Sequence, residues 1–257
     1  HDALPILDRL LAQVFGELPD MPPKLRKVWN ECRWAFRADE TYLAILRARL
    51  AQGPPSRVSS IYVGGTDVVG HRFWNSYDPA AHPQAPTPLE IELFGGVIPH
   101  YYAHVDDMLA ELLRLFPEDT VVLIVADHGM QLGEHHGDEH GLFLAAGPGI
   151  RASGVEPGSV VREDIELLGR LADFCPTLLT LVGVPYGEDM LGRPLAGLFT
   201  PEFLARAPPT SVPTHDDTAW RAQRDKARAQ APRLEDEERI EQLRQLGYLG
   251  DELDEDD

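Results

Sequence analysis

Three short constellations in this 257-residue chain pair carboxylates with imidazoles at spacings suited to one reaction centre. The first, Gly65-Thr66-Asp67-Val68-Val69-Gly70-His71, presents an aspartate and a histidine four residues apart, close enough for both to reach one cation. In the second, Ala126-Asp127-His128-Gly129, the two polar residues follow an apolar run and the glycine permits close backbone approach. The third, His135-His136-Gly137-Asp138-Glu139-His140, is dense in nitrogen donors. Imidazoles mixed with carboxylates suit zinc, manganese or iron rather than calcium, so metallohydrolase chemistry is the expectation.

Such ligands need a frame, and apolar spacing outlines it. Leu4, Leu7, Leu10, Leu11 and Val14 predict a helix over 4–17, and Trp34, Tyr42, Leu43 and Leu46 a second over 24–50. The GPPS run at 53–56 ends that pattern, and Ser59–Val63 (SSIYV) predicts a strand running into Gly64-Gly65, with Asp67 and His71 in the following loop. Tyr101, Val105, Met108, Leu109, Leu112 and Leu115 predict a helix over 97–116, closed by Pro117. The apolar runs 120–126 (TVVLIVA) and 142–146 (LFLAA) read as strands buried on both faces, the second ended by Gly147-Pro148-Gly149. Asp127 and His128 would then project from the carboxyl edge of a buried strand, the usual place for a site in an open α/β sheet. A short helix is expected over 173–182.

Strand, helix, strand implies a parallel crossover, and the fold class expected is α/β, a mainly parallel sheet flanked by helices. Residues 1–200 form the main domain in this reading, with 1–56 a helical insert or cap. Residues 201–257 form an acidic, Pro-rich mobile tail with a short helix at 236–246.

Lys+Arg 23 against Asp+Glu 42 gives a formal net charge of -19, which repels phosphate backbones and argues against nucleic-acid binding. Part of that charge is local: from Leu234 onward eleven acidic residues face Arg239 and Arg244 alone. Cys32 and Cys175 are too far apart in sequence for a C-x-x-C pair, so neither a zinc knuckle nor a disulfide framework is supported. No apolar stretch is long enough for a membrane span, and the first residues lack the plan of a signal peptide. A cytoplasmic location is the expectation.

The order D-x-x-x-H, a strand into D-H-G, then a histidine before another strand resembles the metal-ligand order of the alkaline phosphatase superfamily, over roughly residues 58–150. YVGGTDVVGHRFW at 62–74 and HGLFLAAGPGI at 140–150 look like its type I phosphodiesterase and nucleotide-pyrophosphatase-like phosphohydrolases, and Tyr101-Tyr102 with Asp106 fits the intervening helix. The resemblance implies two divalent metal ions, zinc expected with manganese or iron as alternatives. Asp67, His71 and one histidine of the 135–140 loop would hold the first, with His136 favoured over His140. Asp127 and His128 would bind the second. It also implies in-line attack on a phosphate-ester small molecule, through a Thr or Ser nucleophile and an aspartate placed well upstream of D-x-x-x-H. Residues 1–66 read as helices, so that nucleophile is expected upstream of His1 and no catalytic residue is assigned within the chain. The domain is then incomplete at its N-terminal side, with little turnover expected from this chain alone. Thr66 is a poor substitute for the nucleophile, since extended backbone would turn it away from Asp67.

Two other readings stand beside this one: a binding or structural module that has lost its nucleophile, and sulfatase or phosphomutase chemistry on the same scaffold. His82, His100, His104 and His215 have no metal-site context and read as surface or satisfied helix histidines. Glu134 and His135 are candidates to orient a ligand, Phe73 and Trp74 to line a pocket or fill the core, and Arg72 to meet a phosphate or a surface carboxylate.

Overall fold

A computed structural model describes residues 4–15, 20–80, 85–130, 140–152 and 169–216, with 222, 223, 225, 226 and 229. They fall into two units. The first comprises described residues within 1–117 and 128–139, the second those within 118–127 and 140–233.

Helices α1 (Leu4–Phe15), α2 (Pro23–Ala51), α3 (Gly65–Tyr77), α4 (Pro88–Phe94) and α5 (Val97–Leu115) build the first unit. Their ends follow local chemistry. Pro23 opens α2, where its missing N–H costs no hydrogen bond. Thr87 and Glu90 close a capping box on α4: Thr87 Oγ1 accepts from Glu90 N–H at 3.2 Å, and Thr87 N–H donates to Glu90 Oε2 at 2.7 Å. The apolar stripes of α2, α3 and α5 meet in a core where Cys32, Phe36, Val69, Phe73 and Tyr101 are fully buried. Each such large apolar side chain contributes about 1.5–3 kcal/mol on burial. Aromatic edges lock the packing, with Phe15 5.2 Å from Trp29 and Phe73 4.9 Å from Phe94, centre to centre. A bidentate Arg47–Glu111 pair ties α2 to α5 at the rim.

The second unit carries an antiparallel pair, β1 (Val122–Val125) and β2 (Phe143–Ala146), in register Val122↔Ala146 to Val125↔Phe143. Gly147 turns the chain after β2 at φ 122°, where a Cβ would lie 2.7 Å from the Thr120 carbonyl oxygen. Helix α6 (Phe174–Leu181) follows a single 3-10 turn at Leu171–Asp173. The Asp173 carboxylate accepts the N–H groups of Arg170 and Arg193, which hold its pKa below the usual range. Leu198, Phe199 and Phe203 form a small core, the last on α7 (Pro201–Arg206). Strand β3 (Tyr186–Gly187) pairs in parallel with β4 (Ser211–Val212).

The helices expected over 4–17, 24–50, 97–116 and 173–182 form with small shifts of their ends. The sheet differs. Ser59–Val63 is irregular, because a strand exists only with a partner for its N–H and C=O groups and none lies beside it among the described residues. The crossover expected through α5 is therefore not formed there, and β1 pairs antiparallel with β2 instead. Neither strand is buried on both faces: Val125, Leu142 and Leu144 are exposed. Residues beyond Phe199, read as aperiodic, include α7 and β4, since Phe203 buries itself against Phe199 at 4.8 Å between ring centres. The helix expected at 236–246 lies outside the described residues.

Candidate functional site

Asp67 and His71 lie on a helix, not in a loop. Helix α3 begins at Gly65, so the four-residue spacing stacks the two side chains one turn apart on one face. His71 Nε2 lies 3.5 Å from Asp67 Oδ1, and the side chains are 19% and 24% exposed, sheltered but reachable from solvent. Two donors bound to one tetrahedral ion at 2.0–2.2 Å stand about 3.4 Å apart, so this pair fits two positions on one zinc-like ion.

What fixes that turn comes from elsewhere in the sequence. Position 64 is glycine and offers no capping side chain, so the Asp39 carboxylate of α2 takes the role: Gly64 N–H donates to Oδ1 and Gly65 N–H to Oδ2, both at 3.0 Å. Tyr101 of α5 donates its hydroxyl to the same Oδ2 at 2.8 Å. Asp39 is 2% exposed, and burial pushes its pKa above the usual carboxylate range, against the pull of its three hydrogen bonds and of His104. Burial first, then the Asp39 carboxylate, push the Tyr101 hydroxyl far above its ordinary value, so it remains a donor. Beside this cluster His104 Nε2 sits 3.1 Å from Glu40 Oε1, a close polar contact without hydrogen-bond alignment.

On the same unit Gly70 admits the segment after β1. A Cβ there would stand 2.1 Å from Met130 Sδ, so glycine lets Met130 pack on α3 between Asp67 and His71 in sequence, and a larger residue would make the Met130 side chain shift. His128, two residues earlier, is partly buried and its Nδ1 lies 2.9 Å from the Gly129 carbonyl oxygen. A carbonyl only accepts, so a hydrogen bond at this distance has Nδ1 as its donor. Tyr102 is 58% exposed, and partial desolvation of its hydroxyl, then the nearby Asp67 carboxylate, raise its pKa.

Asp127 and His140 belong to the second unit, and both are exposed. Gly141 there packs against the strand end: a Cβ would lie 2.1 Å from the Ala126 carbonyl oxygen. His136, with Glu134, His135 and His82, lies outside the described residues. His1 lies outside the described residues as well. The expectation that residues 1–66 are helical up to Asp67 holds for α1 and α2 but not for 52–64, which is irregular. Among the described residues no three His, Cys, Asp or Glu side chains converge as a metal cluster. Phe73 is core and Trp74 half-buried against it, while His100 is exposed and His215 Nε2 bonds to the Pro185 carbonyl at 2.7 Å. No described helix is long and apolar enough to cross a membrane. Asp39 went unrecognised because an aspartate inside a helical run reads as solvated surface. The glycine pair before Asp67 was the available signal that an outside group must satisfy two bare amides.

A family model described as type I phosphodiesterase / nucleotide pyrophosphatase matches residues 15–146. Similar curated proteins include GPI ethanolamine phosphate transferase 3 of Eremothecium gossypii, 24% identical over 216 residues, or 78% of this chain and 18% of that protein. The catalytic subunit of the same-named transferase of Mus musculus is 26% identical over 98 residues, 38% of this chain and 9% of its own length. The chain thus spans less than a fifth of either relative. No solved structure matches.

Proposed function

The chain belongs to the type I phosphodiesterase / nucleotide pyrophosphatase family, within the alkaline phosphatase superfamily, and from that premise we propose metal-dependent phosphoryl transfer on small phosphate esters. The observation that carries this reading is the Asp67–His71 pair, 3.5 Å apart on α3. Asp67, His71 and His136 would hold one divalent ion and Asp127 with His128 a second, zinc being the expected metal. Such ions would supply positive charge to the phosphoryl group and lower the pKa of the attacking group.

The protein's own groups do the placing. Asp67 and His71 offer one carboxylate oxygen and one imidazole nitrogen from a single rigid turn. His128, its Nδ1 2.9 Å from the Gly129 carbonyl oxygen, would offer Nε2 to the second ion. The superfamily's Thr or Ser nucleophile is assigned to no residue of this chain. In the fold reading that accompanies this, β1 and β2 would belong to a mainly parallel sheet flanked by helices.

Water as the final acceptor gives a hydrolase, the reading favoured by the family description. An alcohol acceptor gives a transferase, the reading favoured by the names of the two relatives. The test begins with calorimetric titration of zinc into the chain, its Asp67→Asn variant and its His71→Ala variant. Each substitution is expected to weaken binding by ~100-fold or more, beyond the 10–100-fold typical of groups that only support a ligand. Unchanged affinity in both variants sinks the assignment. A chromogenic phosphodiester assayed with and without added glycerol or ethanolamine then separates hydrolysis from transfer.

A further inference from the structure

Three helices in this chain show what it costs in sequence to close a first turn. Helix α4 uses its own Thr87 and α7 its own Thr200, each accepting an N–H three residues on. These caps are local and leave the helix free to settle wherever its apolar face packs. Helix α3 departs from that pattern. Its N-cap is Gly64, and its first amides are satisfied by Asp39, 25 and 26 residues upstream on α2. The acceptor is itself held by Tyr101 of α5, 62 residues further along the chain. One carboxylate therefore joins α2, α3 and α5 at a single point, two residues before Asp67.

The fit is tight enough to dictate the sequence around it. Any side chain at Gly65 would place its Cβ 1.6 Å from the Tyr101 hydroxyl oxygen and 2.7 Å from Asp39 Oδ2. A buried carboxylate is a costly way to cap a helix when a threonine suffices, unless the position and rotation of the turn matter as well as its closure. That turn carries Asp67, with His71 one turn on.

We propose that Asp39 is a positioning residue for the Asp67–His71 pair, acting through the Gly64 and Gly65 amides with Tyr101 as its orienting partner. The inference rests on the reading of that pair as metal ligands. Asp39 itself touches neither metal nor substrate. Its work is to fix the rotation of α3 so that Oδ1 of Asp67 and Nε2 of His71 face one point.

Asp39→Asn keeps one acceptor oxygen and turns an NH2 toward a donor, while Tyr101→Phe removes the orienting hydroxyl and keeps the ring. Zinc affinity by calorimetry, melting temperature, and amide exchange at Gly64 and Gly65 are read for both variants and for Asp67→Asn. The expected result is a loss of zinc affinity of about 10–100-fold in Asp39→Asn and about 5-fold in Tyr101→Phe. Exchange at the two glycine amides should quicken in both, with folding still cooperative. A purely structural role would lower the melting temperature and leave the affinity of the folded chain unchanged. If Asp67→Asn loses zinc while Tyr101→Phe and any folded Asp39→Asn bind it within twofold of wild type, positioning is overturned and the metal pair stands. If Asp67→Asn binds zinc as wild type does, the metal reading falls, and the positioning role falls with it. Should Asp39→Asn fail to fold, Tyr101→Phe alone decides between these outcomes.

Discussion

Asp67–His71 and Asp127–His128 use the same two residue types, yet the chain holds them in opposite ways. The first pair stands on a helix whose backbone bonds are internal and whose bare end is clamped by a buried carboxylate from another helix. The second follows a four-residue strand in a two-stranded hairpin, and the division between the two units falls between its members. A helix places ligands as soon as its ends and one face are satisfied. A hairpin with only two strands leaves its outer edges and faces to be completed by other elements. The apolar residues tell the same story: Val69 and Phe73 of α3 are fully buried, whereas Leu142 and Leu144 stand half exposed.

If this contrast is right, substitutions should hurt on one side and be tolerated on the other. Phe73→Ala empties a fully buried site under α3 and should cost about 3–5 kcal/mol, measured by urea denaturation. Gly65→Ala drives a methyl group into Tyr101 and Asp39, and a loss of about 1–3 kcal/mol is expected with a matching loss of zinc affinity. A harmless Gly65→Ala would show that the clamp has slack and would weaken the contrast at its strongest point. Leu144→Ala, on the exposed hairpin, should change stability by less than about 0.5 kcal/mol. A larger cost there would mean that the strand face is covered after all.

The gentlest test changes no residue. Burial pushes the Cys32 thiol of the helical unit up to about 12, whereas Cys175 of the second unit is exposed. Because the thiolate is the reactive form, Cys32 stays protonated and silent from pH 7 to 9. One thiol per chain should therefore react promptly with a disulfide reagent across that range, and mapping should place the label on Cys175. Prompt labelling of Cys32 would show that the helical core opens readily.

Helices α1, α2, α5 and α6 were legible because a helix advertises itself in the spacing of its apolar residues over several turns. Helix α3 was misread as a loop after a strand. Three glycines punctuate its first turns and the preceding SSIYV is β-rich, although Val69 and Phe73 already stood one turn apart. The short helix α4 escaped notice even though Thr87, Pro88 and Glu90 spelled out its start.

Of the site, residue types and order were written in the sequence: D-x-x-x-H and D-H-G, with zinc-suited donors, are properties of short segments. Tertiary structure alone decided that Asp67 and His71 share a helical face at 3.5 Å, and that Asp39 and Tyr101 hold the turn beneath them. It likewise decided that β1 and β2 run antiparallel. The reason is physical: ligand identity is a property of side chains and travels with the sequence, whereas the partner of a bare amide or an open strand edge comes from a distant part of the chain and is known only when the chain has folded.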